Sequence, residues 1–494
     1  MIGLVRADVV VVGGGLAGLW AVLHLPTDWD VVVVDPGSAG GGSSPWAQGG
    51  MAVAVSPSDS TDLHAQDTMR AGAGLCRKDA LEVLVEEAPH ALGELLDMGA
   101  SFDRAPDGTL DLNREGGQTV ARSVHAADAT GREIMRVVLA RARDRARRFV
   151  GTASRLLVSD SECGGVRVVT PQGDIDVTGR ATLLATGGCG ALWPSTTNPE
   201  TATGDGVALA WDAGADVADL EFMQFHPTAL AVGGLRRILL TEALRGEGAI
   251  VTGDGGERFL FEVHPDGELA PRDVVARAIE ARGGAYLDAR PIGAEHVRER
   301  FPNITAAIAE AGFDLTSQPV PIAPAAHYFL GGVATDINGC TSVPRLYAAG
   351  ECAATGVHGA NRMAGNSLAE AVVFGRRAAL TMASEGRGND VTDDEDDVDG
   401  GVSMLDPDAW NRLREAMAAG AGLTRDAEGL RRALGEAESI GSSGPEALKR
   451  AALAASLICR AALDRMESRG VHFRVDHPNA DAAWVDRHVT YRSG

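Results

Sequence analysis

The chain has 494 residues, 45% of them hydrophobic but only 4% aromatic, so a large core is within reach and Ala, Val and Leu must fill it. A formal net charge of −23 disfavours nucleic acid and anionic membrane surfaces, and it leaves any anion site to be built from local arginines and histidines. Six cysteines at 76, 163, 189, 340, 352 and 459 form no CxxC pair, which leaves no zinc-ribbon or iron–sulfur pattern and fits reduced thiols in the cytoplasm.

At roughly 150 residues per domain, the length suggests about three domains. The first predicted element is a short buried strand, the four valines between Asp8 and Gly13, followed by a helix over 16–25. The window from Val9 to Thr27 holds no Asp, Glu, Lys or Arg and resembles a membrane span. Gly13-Gly14-Gly15 splits it and Pro26 closes it, so strand–turn–helix is the better reading, and no signal-peptide pattern precedes it. A second strand covers 31–34 and ends in Asp35. Apolar runs from Ala181 to Gly188 and from Leu346 to Gly350 give further strands that stop at glycine, as a parallel sheet buried on both faces requires.

Residues 227–326 differ in texture. They mix turns such as Gly253-Asp254-Gly255-Gly256 with a helix over 272–282, and they read as an inserted α+β domain. The acidic run 385–403 reads as a mobile linker. Asp406 then offers an N-cap and Pro407 a first helical residue, and an Ala/Leu helix is predicted over 445–469, so 404–494 is expected to be a helical domain.

Gly13, Gly15 and Gly18 form a GxGxxG turn between the first strand and helix, which lets a pyrophosphate approach the helix N-terminus at Leu16 and Ala17. Asp35 ends the next strand and is placed to accept from a ribose hydroxyl. This fingerprint serves NAD and FAD alike. The discriminator lies downstream, where a strand ends at Gly350-Glu351 and a Gly-rich turn leads into a helix near Asn366, a pattern suited to a ribityl chain and the pyrimidine end of a flavin.

The segments VVGGGLAGL, AQGGMAVAV, REGGQ, HAADATG, LLATGG, ATGDGVALA, EFMQFHPTAL, LLTEALRGEGA, PRDVVARAI, PAAHYFLGGV, LYAAGECAATGVHGANRMAGNSL and ESRGVHFRVDHP resemble the succinate dehydrogenase/fumarate reductase flavoprotein family, in family order up to about residue 478. The resemblance implies an α/β fold. A discontinuous Rossmann-like FAD-binding domain (1–226 and 327–384) would carry an inserted α+β capping domain (227–326) and a C-terminal helical domain (404–494). FAD is the implied cofactor, held by Gly13, Gly15, Leu16, Ala17, Gly18, Asp35, Ser43, Ser44, Gln48, Gly49, Gly50, Thr186, Gly187, Gly188, Asp205, Glu351, Asn366, Ser367 and Leu368. No metal is expected.

The family transfers hydride between flavin N5 and a four-carbon dicarboxylate. The resemblance makes His226, His327 and Arg362 carboxylate ligands, with Thr241 as a further donor. Taken singly, each histidine would more often be a satisfied core residue, and the surrounding motifs reverse that reading. Arg272 matches the family's proton-transfer arginine, but a guanidinium is a poor general base and would need a relay or a charge-stabilising role. Its alternative is a simple ion pair with Asp273. Two positions narrow the substrate. Family dehydrogenases carry an aromatic residue before the Gly-Gly pair where this chain has Glu115, an anion that repels succinate and accepts from an amine. They also attach flavin through a histidine at the place occupied here by Ser43, so noncovalent FAD is expected. The implied reaction is oxidation of L-aspartate to iminosuccinate, with O2 or fumarate as acceptor and quinolinate synthase as receiver of the product. A soluble fumarate reductase or dehydrogenase flavoprotein subunit is the alternative.

Overall fold

The computed structural model describes residues 3–37, 40–232, 237–385, 406–444 and 446–492. The valine runs form the centre of a parallel sheet in the order Leu346–Ala348, Ala181–Leu184, Val9–Val12, Val31–Asp35 and Arg147–Val150. Successive side chains point to opposite faces of a strand, and here both faces are dry. Val9, Val11, Val31 and Val33 pack with helices Leu16–His24 and Asn366–Ser384, while Val10, Val12, Val32 and Val34 enter a second core. Each fully buried valine stabilises the fold by about 1.5–3 kcal/mol. That second core is closed by an antiparallel meander, Thr152–Ser159, Glu162–Thr170 and Gly173–Thr178, which is not among the elements read from the sequence.

A second sheet, antiparallel, runs Met223–Leu230, Val320–Phe329, Ala285–Asp288 and Ile250–Thr252. Its own core includes Phe259, Val275, Ile279, Phe301, Ile304 and Ile322. Val275 and Ile279 are one turn apart on helix Arg272–Ala281, so the helix buries that stripe while its first residue, Arg272, reaches the seam with the parallel sheet. The two long strands pass through the borders at 226/227 and 326/327. Gln224 faces Tyr328 and Phe225 faces Ala326, which leaves His327 as the extra residue of a β-bulge.

Helices Pro407–Gly420, Ala427–Ser443 and Glu446–Asp464 make a third unit. The Asp406 carboxylate accepts from the Asp408 and Ala409 N–H groups, and Pro407 is the first helical residue, as expected. Leu413, Met417, Leu430 and Ile458 pack against Trp193, Phe225 and Phe329, so this unit lies beneath the seam. The helix expected over 445–469 ends at Asp464 instead. Arg465 turns inward to bond Glu221 at 2.5 Å and Glu467 at 3.0 Å, all three fully buried. Two interior carboxylates need that guanidinium more than the helix needs another turn. Residues 386–403 of the acidic run, and Pro445, lie outside the described residues. Among the described residues no helix is long and apolar enough to cross a membrane.

Candidate active site

One cavity of about 540 Å³ runs from the glycine turn of the parallel sheet to the seam with the second sheet. Of the residues expected to hold the cofactor, Gly13, Gly15, Leu16, Ala17, Asp35, Ser43, Ser44, Gln48, Gly49, Gly50, Thr186, Gly187, Gly188, Asp205, Glu351, Ser367 and Leu368 line it. Gly18 and Asn366 do not. A Cβ on Gly18 would stand 2.2 Å from the Gly13 carbonyl oxygen, so that glycine serves the close approach of helix to strand. Asn366 has turned away, accepting from His64 Nε2 at 2.8 Å and donating to Thr68 Oγ1 at 3.0 Å.

The turn is braced from the side. Asp35 Oδ2 accepts from the Gly14 N–H at 2.9 Å, and Ser44 Oγ accepts from the Leu16 N–H at 3.0 Å. Gly187 has φ +81°, and a Cβ there would meet nothing within 4 Å. Gln48 Oε1 is buried in the wall with no partner among the described residues. A glycine cradle left open and an orphaned amide oxygen fit a dinucleotide such as FAD. Burial pushes the Glu351 carboxyl up to about 7 where it accepts from the Phe329 N–H, and burial also raises Asp205, with Arg450 3.6 Å away.

His226, His327, Arg362, Thr241, Arg272 and Glu115 all meet at the other end of the cavity. The two imidazoles stand edge to face, 5.1 Å apart. Burial, reinforced by nearby arginines, holds both well below the usual histidine range and keeps them neutral. His226 Nδ1 accepts from the Thr228 N–H at 3.2 Å, which leaves the ring proton on Nε2. His327 Nδ1 lies 2.8 Å from Thr197 Oγ1. Burial and then Arg272 lower the Arg362 guanidinium to about 10, where it is still charged.

Arg272 is paired with Glu242 at 2.6 Å, while Asp273 pairs with Arg277 at 2.7 Å, so the expected alternative partner is otherwise engaged. Glu242 and Arg245 lie one helical turn apart and 3.3 Å from each other. Arg245 donates onward to the Glu268 carbonyl, and the Glu268 carboxylate meets Arg258, which is half exposed. Arg272, Glu242 and Arg245 thus form a buried charge cluster, joined to Glu268 through that residue's backbone carbonyl. Gln224 Oε1 accepts from both Arg272 Nη1 (3.2 Å) and Arg362 Nε (3.3 Å). The sequence reading assigned no role to Gln224, Glu242 or Arg245. Period-two spacing puts Gln224 on the same strand face as His226, and i,i+3 spacing joins Glu242 to Arg245, so both signals were present.

Glu115 is buried, with Oε1 accepting from the Gly50 N–H at 3.2 Å and its own N–H donating to Gln118. Burial first, and then the Glu242 carboxylate, push its carboxyl above the usual range.

Residues 8–368 match the FAD binding domain family, and residues 445–494 match the fumarate reductase flavoprotein C-terminal family. The chain is 40% identical to an L-aspartate oxidase of Synechocystis sp. over 98% of its own length and 96% of that protein, and 44% identical to one of Caulobacter vibrioides over 97% and 95%. Among solved structures it resembles a mutant of E. coli quinol fumarate reductase FrdA, at 29% identity with a TM-score of 0.90 over 99% and 94% of the two chains. It also resembles Mycobacterium smegmatis Sdh1, at 31% identity with a TM-score of 0.85 over 99% and 92%.

Proposed function

The chain belongs to the L-aspartate oxidase family of FAD-dependent oxidoreductases, and from that premise we propose that it oxidises L-aspartate to iminosuccinate with O2 or fumarate as electron acceptor, O2 giving H2O2. In this reading the reaction begins de novo NAD biosynthesis in the cytoplasm. The water-labile imine would pass to quinolinate synthase. The observation that carries the substrate assignment is Glu115, a buried carboxylate at the end of the cavity lined by His226, His327, Arg272 and Arg362. The nearby Arg272 guanidinium is committed to Glu242 at 2.6 Å, so among the described residues Glu115 is buried without an ion-pair partner of its own. That is costly unless a cation meets it, and an α-ammonium is the cation that distinguishes aspartate from succinate.

In this mechanism Arg362 clamps one carboxylate through its planar fork. Neutral His226 and His327, with Thr241, donate to the second carboxylate. Glu115 holds the α-ammonium and takes a proton from it, which frees the nitrogen lone pair that forms the C=N bond as hydride leaves Cα. FAD, when bound, supplies the acceptor for the hydride leaving Cα. Arg272 stabilises the negative charge of the substrate and exchanges protons through Glu242, because an isolated guanidinium is a poor base. With fumarate as acceptor, the carbon opposite the incoming hydride takes its proton from Arg272, which is recharged through Glu242. The FAD is held without a covalent bond, Ser43 offering no imidazole for attachment.

Anaerobic mixing tests the reading. L-aspartate is expected to bleach the flavin, and bleaching by succinate but not L-aspartate would overturn it. Acid precipitation is expected to leave the yellow colour in solution, and colour retained in the pellet would contradict noncovalent FAD. Conversion of the product to quinolinate on adding quinolinate synthase and its co-substrate tests the pathway step.

A further inference from the structure

Arg362 is an interior cation whose hydrogen bonds go to neutral groups, from Nε to Gln224 Oε1 at 3.3 Å and from Nη1 to Ser367 Oγ at 2.8 Å. Among the described residues it forms no ion pair. Its remaining support is an aromatic face, with its Cζ 4.5 Å from the ring centroid of Tyr328. Tyr328 follows the bulged His327, lines the same cavity, and is itself tethered, its hydroxyl donating to Glu370 Oε2 at 2.6 Å. Glu370 is fixed in turn by Thr355 Oγ1 at 2.5 Å and His358 Nε2 at 2.9 Å. The His358 ring stands edge-on to Tyr328 at 5.3 Å. All four side chains are buried, and none takes part in the reaction described above.

We propose that Tyr328 is a positioning residue: a shelf, tethered by Glu370, that holds the Arg362 guanidinium flat and correctly aimed while leaving its charge for the substrate carboxylate. The inference rests on the reading of Arg362 as the carboxylate clamp. A carboxylate bonded directly to Arg362 would orient it equally well but would compete with the ligand for the same N–H fork. A π face attracts the cation from the side and leaves the in-plane donors open. The negative charge of Glu370 reaches Arg362 only at one remove, through the phenol. The phenol tether can be removed with the ring left in place, and this separates orientation from bulk.

The test uses the FAD-loaded enzyme and malonate, a dicarboxylate with no carbon–carbon bond to desaturate, with binding read from the flavin absorbance band. Tyr328→Leu removes the face and is expected to weaken malonate about 30-fold, the scale of a desolvated cation–π contact. Tyr328→Phe keeps the face but loses the tether and is expected to weaken it about 3-fold. KM for L-aspartate should rise in parallel, with kcat within about 2-fold of wild type for Tyr328→Phe. Wild-type malonate affinity in a flavin-bound Tyr328→Leu protein overturns the proposal. If Tyr328→Leu loses its flavin, Tyr328→Phe decides alone, and unchanged affinity there overturns the proposal. Arg362→Gln separates the underlying reading: if it binds malonate like wild type, Arg362 is not the clamp. If Arg362→Gln abolishes binding while both Tyr328 variants bind normally, the clamp stands and the shelf falls.

Discussion

At the scale of single residues, the site depends on two carboxylates that the fold has buried against each other. Glu115 and Glu242 face the same guanidinium, Arg272, but from different positions. Glu242 is paired with it at 2.6 Å, whereas Glu115 accepts from the Gly50 backbone and carries the cost of burial. Glu115→Gln should therefore reduce kcat/KM for L-aspartate roughly 10- to 100-fold, the worth of a hydrogen bond to a charged group, while fumarate reduction changes by about 3-fold or less. Equal loss of both activities removes the role of Glu115 as amine reader. A pH dependence follows with a definite sign. Because the carboxyl is raised, it becomes neutral on the acid side earlier than an ordinary glutamate, and the ammonium then loses its counter-charge. The kcat/KM for L-aspartate should fall as pH drops through that raised value, and the Glu115→Gln profile should lack the limb. Glu242→Gln leaves Arg272 without its proton partner, so kcat should fall by about 100-fold or more. Malonate affinity, read from the flavin band, should hold within about 3-fold, and a kcat near wild type would break the relay.

At the scale of elements, what could be read in advance was what repeats or punctuates. The valine runs, the GxGxxG turn, the Asp406-Pro407 start and the helix over 272–282 are local signals, and each appears within a residue or so of its expected place. The features that depend on distant partners were not legible. The bulge at His327 exists only in the register with Gln224 and Phe225, and the end of the last helix at Asp464 answers to Glu221, far away in the chain. Likewise, Asn366 looked like a flavin ligand because of its neighbours, but its side chain is taken by His64 and Thr68. The segment after Asp464 supplies the clearest elemental test. Gly470 sits at φ +54°, and a Cβ there would lie 2.2 Å from the carbonyl oxygen of Ala360, two residues before Arg362. Its own carbonyl accepts from Arg277 on the helix that begins with Arg272. Gly470→Ala should lower stability by more than about 1 kcal/mol and raise KM for L-aspartate, as the Ala360–Arg362 turn is pushed aside. A melting temperature and KM both equal to wild type would show that the C-terminal segment does not support the site.

At the scale of the whole molecule, a chain of net charge −23 carries the cavity proposed to hold dicarboxylates. The cations proposed to face the ligand, Arg272 and Arg362, are buried, and much of the positive charge behind them is balanced by Glu242 and Glu268. The local field of the pocket therefore acts over a few ångströms, whereas repulsion by the surface acts over the Debye length, about 10 Å at 0.1 M ionic strength and longer in dilute buffer. Adding salt should shorten the repulsion first and leave the buried contacts nearly untouched. The kcat/KM for fumarate, a dianion, is expected to rise as ionic strength goes from about 0.01 M to 0.1 M. That for L-aspartate, which carries one net negative charge, should rise less. This is the reverse of an electrostatically steered enzyme, whose association slows steeply in salt. The measurement is a steady-state series in an inert chloride salt, with kcat followed separately so that effects on chemistry are removed. A steep fall for both substrates would mean that the cations at the mouth of the cavity dominate the approach, and that the acidic surface is arranged away from the entrance.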